Sequence, residues 1–247
     1  MDEENKRAIV IGASSGLGRE IARLLYKRGY CMGIAARRVE RLEALREELG
    51  EGVEIASIDV TKVEAVEAFE RLAGRLGGVD LLVYCAGVGW QNPSLDEDKE
   101  MATVAINALG FTRMIGSAFR YMSRQGRGHI AVITSIAGTK GLGPAPAYSA
   151  TKAMQNVYLQ ALEQLANTRG LNIRFTDIRP GFVATDLLGE DKSYPMLMEV
   201  GQVAKKIVKA IEKKKNVRVV DYRWRFVTAC WRRVPRWLWR RLRLVKG

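Results

Sequence analysis

The sequence predicts a single α/β domain in which a doubly wound parallel sheet carries helices on both of its faces. Short apolar runs alternate with helical patterns from residue 8 to residue 178, and this alternation is typical of a parallel sheet. The predicted strands are almost continuously apolar, as expected for strands that helices cover on both sides. A length of 247 residues is near the upper limit for one such domain, and no stretch has the composition of a linker.

Six apolar runs of strand length are separated by helical patterns. The predicted strands are, in chain order, 8–11, 31–35, 53–58, 81–84, 129–133 and 173–178. After the first strand, Ile21, Leu24 and Leu25 have helical spacing, and further helices are predicted over 39–49, 63–76, 99–123 and 150–167. Gly50 is a typical residue to end the second of these helices.

Composition restricts the class of protein. The chain is 47% hydrophobic and 27% charged, which is ordinary for a globular protein and excludes a disordered one. Three widely spaced cysteines and the single histidine, His129, are too few for a disulfide framework or a zinc site. We therefore expect no metal and a structural role for His129. Because the first seven residues lack an apolar stretch and no apolar run reaches 18 residues, we expect a cytoplasmic protein.

The net charge of +13 is concentrated at the C-terminus. Residues 217–247 contain ten lysines and arginines and one acidic residue, whereas residues 1–216 contain thirty basic and twenty-six acidic residues. We therefore predict one domain over residues 1–216, followed by a basic, tryptophan-rich extension over residues 217–247. Because the domain itself is nearly balanced in charge, a nucleic-acid partner is not indicated.

A glycine-rich turn connects the first strand to the helix that follows it. Its sequence is Gly12-Ala13-Ser14-Ser15-Gly16-Leu17-Gly18. Glycines allow the backbone to approach a pyrophosphate, and the helix N-terminus adds free amides and a favourable dipole. The pattern predicts a nucleotide-phosphate site, although a glycine-rich turn without a ligand has the same spacing.

The residues after the second strand indicate which nucleotide would bind. An acidic residue here would bind the ribose 2′-hydroxyl of NAD, but the sequence has Arg37 and Arg38. Arginine instead suits the 2′-phosphate of NADP, and Ser14 and Ser15 would add hydroxyl donors. The alternative is that the two arginines are a solvated charge pair at the start of the next helix.

Asp59 and Val60 follow the third strand, at the place where an adenine ring would lie. The carboxylate of Asp59 would accept a hydrogen bond from the adenine amino group. Equally, Asp59 would cap a helix that begins near Thr61. Both interpretations remain open at the level of the sequence.

Four side chains form a candidate catalytic group. Tyr148 and Lys152 are four residues apart, so they share one face of a helix. A phenol is a poor acid–base catalyst at neutral pH, and a nearby ammonium group lowers its pKa towards the working range. Ser135 follows the fifth strand, where its hydroxyl would hold a substrate carbonyl oxygen. Asn107 lies within the long helix, where a buried amide needs hydrogen-bond partners and would support a water relay.

Together these motifs resemble those of the short-chain dehydrogenase/reductase family. The glycine pattern, Asn107, Ser135, the Tyr148–Lys152 pair and the segment Pro180-Gly181-Phe182-Val183-Ala184-Thr185 follow the family's order over about residues 6–212. The resemblance implies one Rossmann-like domain with a seven-stranded parallel sheet and a nicotinamide cofactor along the carboxyl ends of the strands.

The resemblance also implies a role for each catalytic candidate. Tyr148 would be the general acid and base, and Lys152 would bind the nicotinamide ribose and tune Tyr148. Ser135 would orient the substrate carbonyl, and Asn107 would support the proton relay. In the reducing direction, hydride would pass from the nicotinamide C4 to the carbonyl carbon, and Tyr148 would protonate the oxygen.

The implied cofactor site combines the motifs above with two further segments. Its predicted members are Gly12, Ser14, Ser15, Gly16, Leu17, Gly18, Arg37, Arg38, Asp59, Val60, Ala86, Gly87, Pro180, Gly181, Val183 and Thr185. The chain departs from the family's pattern at two places. Ile11 replaces a frequent threonine, and Tyr84-Cys85-Ala86-Gly87 replaces the usual Asn-Asn-Ala-Gly. The lost asparagine amide predicts a slightly looser cofactor geometry.

The sequence thus predicts an NADP-dependent oxidoreductase acting on a carbonyl or secondary alcohol. Met196 and Met198 lie where the family has a mobile lid, so they would line an apolar pocket or belong to the core. An apolar lid and tail favour an apolar substrate, such as a keto-lipid, a 3-oxoacyl compound or a steroid-like ketone. A homodimer or homotetramer is expected. The alternative function is a non-catalytic nucleotide-sensing protein of the same fold.

The C-terminal extension contains four of the five tryptophans, interleaved with arginines. Pro235 suits the first turn of a helix, beyond which Leu238, Leu242 and Val245 share one face. This pattern is typical of a helix that lies on an anionic membrane, and it would make the protein membrane-associated. The alternatives are packing on a sister subunit and a cover over the substrate pocket.

Overall fold

A computed structural model describes residues 6–188 and 194–242 of the chain. Its centre is a seven-stranded sheet in the order β3-β2-β1-β4-β5-β6-β7, in which every neighbouring pair is parallel. The strands are β1 (Arg7–Ile11), β2 (Cys31–Ala36), β3 (Glu54–Ser57), β4 (Leu81–Tyr84), β5 (Arg127–Ile133), β6 (Asn172–Pro180) and β7 (Val217–Val220). This topology confirms the predicted doubly wound parallel sheet.

Helices flank the sheet on both faces. In the described ranges they are α1 (Gly16–Tyr26), α2 (Val39–Leu49), α3 (Ala65–Arg75), α4 (Glu97–Val104), α5 (Phe111–Gln125), α6 (Pro146–Thr168), α7 (Val200–Glu212), α8 (Tyr222–Arg233) and α9 (Arg236–Trp239). A π-helical turn at Ala105–Gly110 and 3-10 turns at Ile136–Thr139 and Asp186–Leu188 complete the set. Over the same ranges, no helix is long and apolar enough to cross a membrane.

The sheet separates two hydrophobic layers. Side chains alternate between the faces of a strand, so Ala8 and Val10 of β1 pack with α1, α2 and α7, whereas Ile9 and Ile11 pack with α3, α5 and α6. The strands are buried on both sides, which explains why their sequences are apolar without alternation.

The connections place a cleft at the carboxyl end of the sheet. From β1 the chain proceeds outwards to β2 and β3, and it then returns to place β4 on the other side of β1. Connections on the two sides of β1 therefore diverge, and a crevice opens between them. Ligands bind at such a reversal of strand order in open α/β sheets.

The structure differs from the predicted elements in the middle of the long helix over 99–123. This segment is two α-helices joined by a π-helical turn that contains Asn107. Gly110, the last residue of the turn, packs against Val60 in the loop after β3. A Cβ atom on Gly110 would lie 2.8 Å from Val60 Cγ2, so the close contact needs glycine. Residue spacing alone does not reveal a single turn of π-helix, because the apolar pattern continues through it.

Several elements after residue 178, among them β7, α7 and α8, are not predicted from the residue patterns. Val217–Val220 form β7, which pairs with Asp177–Pro180, so the first residues of the predicted extension belong to the sheet. Trp224 of α8 is buried in the core as well. The part of the extension that stands apart from the sheet therefore begins after Val220 and not at residue 217.

Candidate active site

A cleft of about 410 Å³ lies at the carboxyl ends of the central strands. Most of the predicted cofactor-binding residues line it, together with two of the four catalytic candidates. These lining residues are Gly12, Ser14, Ser15, Gly16, Leu17, Gly18, Arg37, Arg38, Asp59, Val60, Ala86, Gly87, Tyr148, Lys152 and Thr185. The catalytic candidates Ser135 and Asn107 are buried, and each directly follows a lining residue in the chain, Thr134 and Ile106 respectively.

The glycine-rich turn lines the cleft with its backbone. Gly12 has a φ of +91°, and a Cβ atom on it would lie 2.6 Å from the amide nitrogen of Ala86. A Cβ atom on Gly18 would overlap the carbonyl oxygen of Gly12. Helix α1 begins at Gly16, and no side chain caps its N-terminus. The turn is thus a backbone cradle with helix amides directed to its open side, which fits a pyrophosphate group.

Arg38 reaches from the end of β2 to this turn. Its Nη2 atom donates to the Oγ atoms of Ser14 and Ser15, and both distances are 2.9 Å. Arg37 also lines the cleft, while β2 itself ends at the uncharged Ala36. The side chains of Arg38, Ser14 and Ser15 thus converge beside the glycine-rich turn, and their donors suit a phosphate group.

Asp59 lines the cleft but already has a structural partner. Its Oδ1 atom accepts hydrogen bonds from the amide and the hydroxyl of Thr61, at 3.0 and 2.7 Å. The carboxylate therefore stabilises the turn after β3. Helix α3 begins only at Ala65, so Asp59 caps the turn and not the helix.

Tyr148 lies near the beginning of α6, with its ring against the backbone of Gly89. A Cβ atom at residue 89 would lie 2.7 Å from two ring carbons, so glycine is needed for this approach. Burial raises the pKa of Tyr148, and a hydrogen bond with Ser135 opposes this effect. The Oγ atom of Ser135 also accepts from the amide of Ala137, at 3.0 Å. These contacts fix both hydroxyl groups beside the cleft.

Lys152 lies one turn further along α6 and is buried. Its Nζ atom donates to the carbonyl oxygen of Ile133 at 3.2 Å and to Oε1 of Gln155 at 3.1 Å. Burial lowers the pKa of Lys152 to about 8, although the negative charge of Asp177 opposes this shift. Nζ lies 5.8 Å from the centroid of the Tyr148 ring. Burial has the largest influence on the Tyr148 pKa, and the lowering of this pKa by the Lys152 ammonium group stays a prediction.

Asn107 is fully buried in the π-helical turn. Its Oδ1 atom accepts from the amide of Val88 at 2.9 Å, and its Nδ2 atom donates to the carbonyl oxygen of Val88 at 2.7 Å. The side chain thus has the partners that a buried amide requires. It fixes the loop after β4, which forms the wall of the cleft beside Gly87.

Three predicted cofactor residues do not line the cleft. Pro180 pairs with Val220 in the sheet, and Gly181 lies against the indole ring of Trp224. The side chain of Val183 is buried in the core, and its backbone bridges to Met198. Met198 is itself buried, which favours the core interpretation of this methionine.

Several lining residues are not part of the sequence prediction. They are Ile11, Ala36, Ile58, Cys85, Val88, Gly89, Trp90, Ile106, Ile133, Thr134, Asp186 and Leu187. Six of these twelve residues end a strand or directly follow one. Their position at the strand ends was the available signal, since all carboxyl ends of a parallel sheet meet at one edge.

The C-terminal extension packs against the loop that follows Ser135. The Nε1 atom of Trp231 donates to Oγ1 of Thr139 at 2.6 Å, and Nε1 of Trp239 donates to the carbonyl oxygen of Gly141 at 2.8 Å. The two indole rings meet edge to face at 5.7 Å. The extension therefore covers part of its own domain, in the loop that follows the catalytic candidate Ser135. Val245, the last member of the predicted apolar face, lies outside the described residues.

His129 lies away from the cleft. It is buried at the beginning of β5, and its Nε2 atom lies 2.8 Å from Oγ1 of Thr176. Burial, with the nearby charges of Lys214 and Arg174, lowers its pKa to about 4. The ring is therefore neutral at physiological pH and bonded within the sheet, as expected of a structural histidine.

The described part of the chain contains no cluster of three or more histidines, cysteines or acidic residues that would hold a metal.

Comparison with known proteins agrees with this architecture. The family model for short chain dehydrogenases matches residues 6–194. The chain belongs to the short-chain dehydrogenase family. An uncharacterized oxidoreductase of Myxococcus xanthus is 36% identical over 213 residues, which are 83% of each protein.

Solved structures resemble this short-chain dehydrogenase closely. The alcohol dehydrogenase of the archaeon Thermococcus sibiricus, complexed with 5-hydroxy-NADP, is 30% identical and has a TM-score of 0.77. The match covers 88% of this chain and 96% of that one. Actinorhodin polyketide ketoreductase with NADPH is 26% identical, also with a TM-score of 0.77 and with the same coverage of both chains.

Proposed function

We propose that this short-chain dehydrogenase is an NADPH-dependent oxidoreductase that reduces a carbonyl group to a secondary alcohol, or catalyses the reverse reaction. One observation carries the proposal: a single cleft is lined both by Tyr148 and Lys152 and by the hydrogen-bonded cluster of Arg38, Ser14 and Ser15. The first group suits proton transfer at a carbonyl oxygen, and the second suits the phosphate that distinguishes NADP from NAD.

Each part of the cofactor would have partners among the residues of the cleft. Arg37, Arg38 and the two serines would hold the 2′-phosphate, and the backbone turn at 12–18 would hold the pyrophosphate. Lys152 would bind the nicotinamide ribose, and Thr185, which also lines the cleft, would contact the carboxamide. NADP-containing structures of relatives support this assignment. When bound, NADPH supplies the hydride that reduces the carbonyl carbon.

The chain's own residues would manage the substrate oxygen. The hydroxyl of Ser135 would donate a hydrogen bond to this oxygen and orient the carbonyl. Tyr148, which burial keeps protonated, would donate its proton to the oxygen as negative charge develops there. Lys152 would then return a proton to the phenolate.

The surroundings of Tyr148 favour an apolar substrate. Val88, Trp90, Ile106 and Leu187 line the cleft, and Trp90 and Leu187 remain exposed in the described structure. A keto-lipid, a 3-oxoacyl compound or a steroid-like ketone would cover these surfaces. The test is NADPH oxidation with ketones of each class and of increasing apolar size. If the protein binds NADPH but oxidises it with none of these ketones, the result would support the alternative function, a nucleotide-sensing protein.

All three cysteines are free thiols, which supports our proposal that the enzyme works in a reducing compartment, the cytoplasm. Cys31 and Cys85 lie within the fold, and only Cys230 is exposed. A reducing compartment keeps such thiols unpaired.

We further propose that the outer surface of the extension contacts anionic membranes. Tyr222 and Phe226 share the outer face of α8 and are 74% and 72% exposed, and Trp237 of α9 is 58% exposed. Arginines surround these side chains in the sequence. Exposed aromatic residues among arginines suit an anionic lipid surface.

Replacing Tyr222, Phe226 and Trp237 by serine is expected to weaken binding to phosphatidylserine liposomes by about tenfold or more. Sedimentation with liposomes measures this, and higher salt should weaken the wild-type interaction by screening the charges. Val63→Ser is the matched control, since Val63 is equally exposed before α3. An intact protein that ignores anionic liposomes at low salt contradicts the proposal.

A homodimer, or a homotetramer built from such dimers, is proposed through exposed apolar side chains of the π-helical turn and α6. Leu109 of the turn and Val157 and Leu165 of α6 are exposed, and a second copy of the chain would cover them. We expect Val157→Glu to lower the molar mass that light scattering measures. Unchanged mass at micromolar concentration would place the interface elsewhere.

A further inference from the structure

Gln155 lies on the same helix as the catalytic candidates and is fully buried. Its Oε1 atom accepts a hydrogen bond from Nζ of Lys152 at 3.1 Å, and its Nε2 atom donates to the carbonyl oxygen of Asn107 at 2.8 Å. One amide group therefore bridges Lys152 and the backbone of the π-helical turn.

The two hydrogen bonds fix the orientation of this amide. If it were flipped, its NH₂ group would face the ammonium of Lys152, and its oxygen would face the carbonyl of Asn107. Both contacts would then be repulsive in a buried site, where unpaired polar groups are costly. The orientation is thus determined by its partners, which come from two different parts of the chain.

The bridge also limits the directions in which Lys152 can act. An ammonium group has three donors, and those of Lys152 contact Ile133 and Gln155. The donor that remains is available to the cleft, which Lys152 lines. On its inner side, Lys152 meets an amide that neither releases nor takes up protons near neutral pH.

We propose that Gln155 is a positioning residue that holds Lys152 as a cation facing the cleft and separates it from the Asn107 carbonyl, so that protons reach Lys152 from the cleft. This inference rests on the proposed function. In the reducing direction, the proton of the Tyr148 hydroxyl passes to the substrate oxygen. The ammonium of Lys152 returns one proton to the phenolate, and solvent at the cleft restores it.

This path replaces the water relay that the sequence suggests for Asn107. In the described structure, the carbonyl of Asn107 accepts from Gln155, and its side chain is bonded to Val88. Asn107 therefore supports the wall and the bridge, and the inner route from Lys152 ends at the amide.

Three other titratable groups lie near Lys152, namely Asp177, Cys85 and Tyr148. Asp177 of β6 is buried and paired with Arg179, and its charge favours the ammonium form. Burial raises the pKa of Cys85 to about 12, so this thiol is neutral in the physiological range. Tyr148 is protonated for the reason given above. Gln155 is thus a neutral neighbour whose replacement changes the surroundings of Lys152 in a controlled way.

Two variants of Gln155 test the inference in opposite directions. Gln155→Met preserves the length of the side chain but removes the acceptor, so the charged form of Lys152 loses a hydrogen bond and its pKa falls. Gln155→Glu places a carboxylate against the ammonium, so the pKa of Lys152 rises. We expect shifts of about half a pH unit or more in each direction.

NMR titration of the Lys152 side chain measures both shifts in the cofactor-free protein, with Lys152→Arg identifying the resonance. The alkaline limit of the kcat profile for ketone reduction should move in the same two directions. A purely structural role for Gln155 would lower stability or kcat without opposite shifts, and this result would overturn the inference. If Gln155→Met does not fold, the upward shift in Gln155→Glu decides. A failure of the proposed function is a separate result, because it would appear as absent turnover in the wild-type enzyme.

Discussion

Replacing Tyr148 by phenylalanine is expected to reduce kcat for ketone reduction by about a hundredfold or more. The variant keeps the ring that packs against Gly89 but removes the proton that the substrate oxygen receives. NADPH binding should be nearly unchanged, because the glycine-rich turn and the Arg38 cluster remain intact. Steady-state NADPH oxidation measures kcat, and fluorescence titration measures cofactor affinity.

Tyr158→Phe is the matched control for this variant. Tyr158 lies on the same helix and packs against Phe111, so its replacement also removes one hydroxyl and keeps the ring. We expect its kcat to remain close to that of the wild-type enzyme. Unchanged turnover in Tyr148→Phe would contradict the acid–base role.

Replacing Arg38 by alanine should weaken NADPH binding by about ten- to a hundredfold, with little effect on NADH. The guanidinium bonds to Ser14 and Ser15, so its loss also frees the two hydroxyls that would hold the 2′-phosphate. The wild-type enzyme should prefer NADPH to NADH by a similar factor. Calorimetric titration with both nucleotides measures the preference.

Arg46→Ala provides the corresponding control, since Arg46 is an exposed arginine in the last turn of α2. Both variants remove one positive charge, before α2 in one case and in its last turn in the other. Equal loss of NADPH affinity in both would indicate a general effect of charge and not a specific phosphate contact. Equal wild-type affinity for NADPH and NADH would reject the cofactor assignment.

The sequence predicts those parts of the cleft that depend on local chain geometry. Within each of these motifs the residues are close together in the chain. This holds for the Gly12–Gly18 turn, for the arginines after β2 and for the Tyr148–Lys152 pair. Strand ends and a helix face determine their positions, so spacing along the chain translates directly into spacing in the structure.

Contacts between distant segments are not predicted in this way. Trp231 donates to Thr139 across 92 residues, and nothing in either local sequence indicates the pairing. The amide of Gln155 is equally hidden, because a single glutamine in a helix belongs to no spacing pattern. Its role depends on Asn107, which the π-helical turn places opposite α6.

Two elements that were not predicted, α7 and β7, differ in how much information their own sequences contain. Helix α7 has Val203, Ile207 and Ile211 on one buried face, a regular helical signal that the sequence does contain. Strand β7 is a four-residue edge strand, Val-Arg-Val-Val, within a basic segment. Such a short strand is stabilised by pairing with β6, and its own sequence carries too little information to predict it.

The transfer of deuterium from NADPH labelled at C4 tests the central claim most directly. The wild-type enzyme is incubated with the labelled cofactor and the apolar ketone that gives the fastest NADPH oxidation, and the product is analysed by mass spectrometry and NMR. The account predicts an alcohol that carries deuterium on the former carbonyl carbon, with at least about a hundredfold slower formation by Tyr148→Phe. A protein that binds NADPH tightly but transfers no deuterium to any ketone would contradict it.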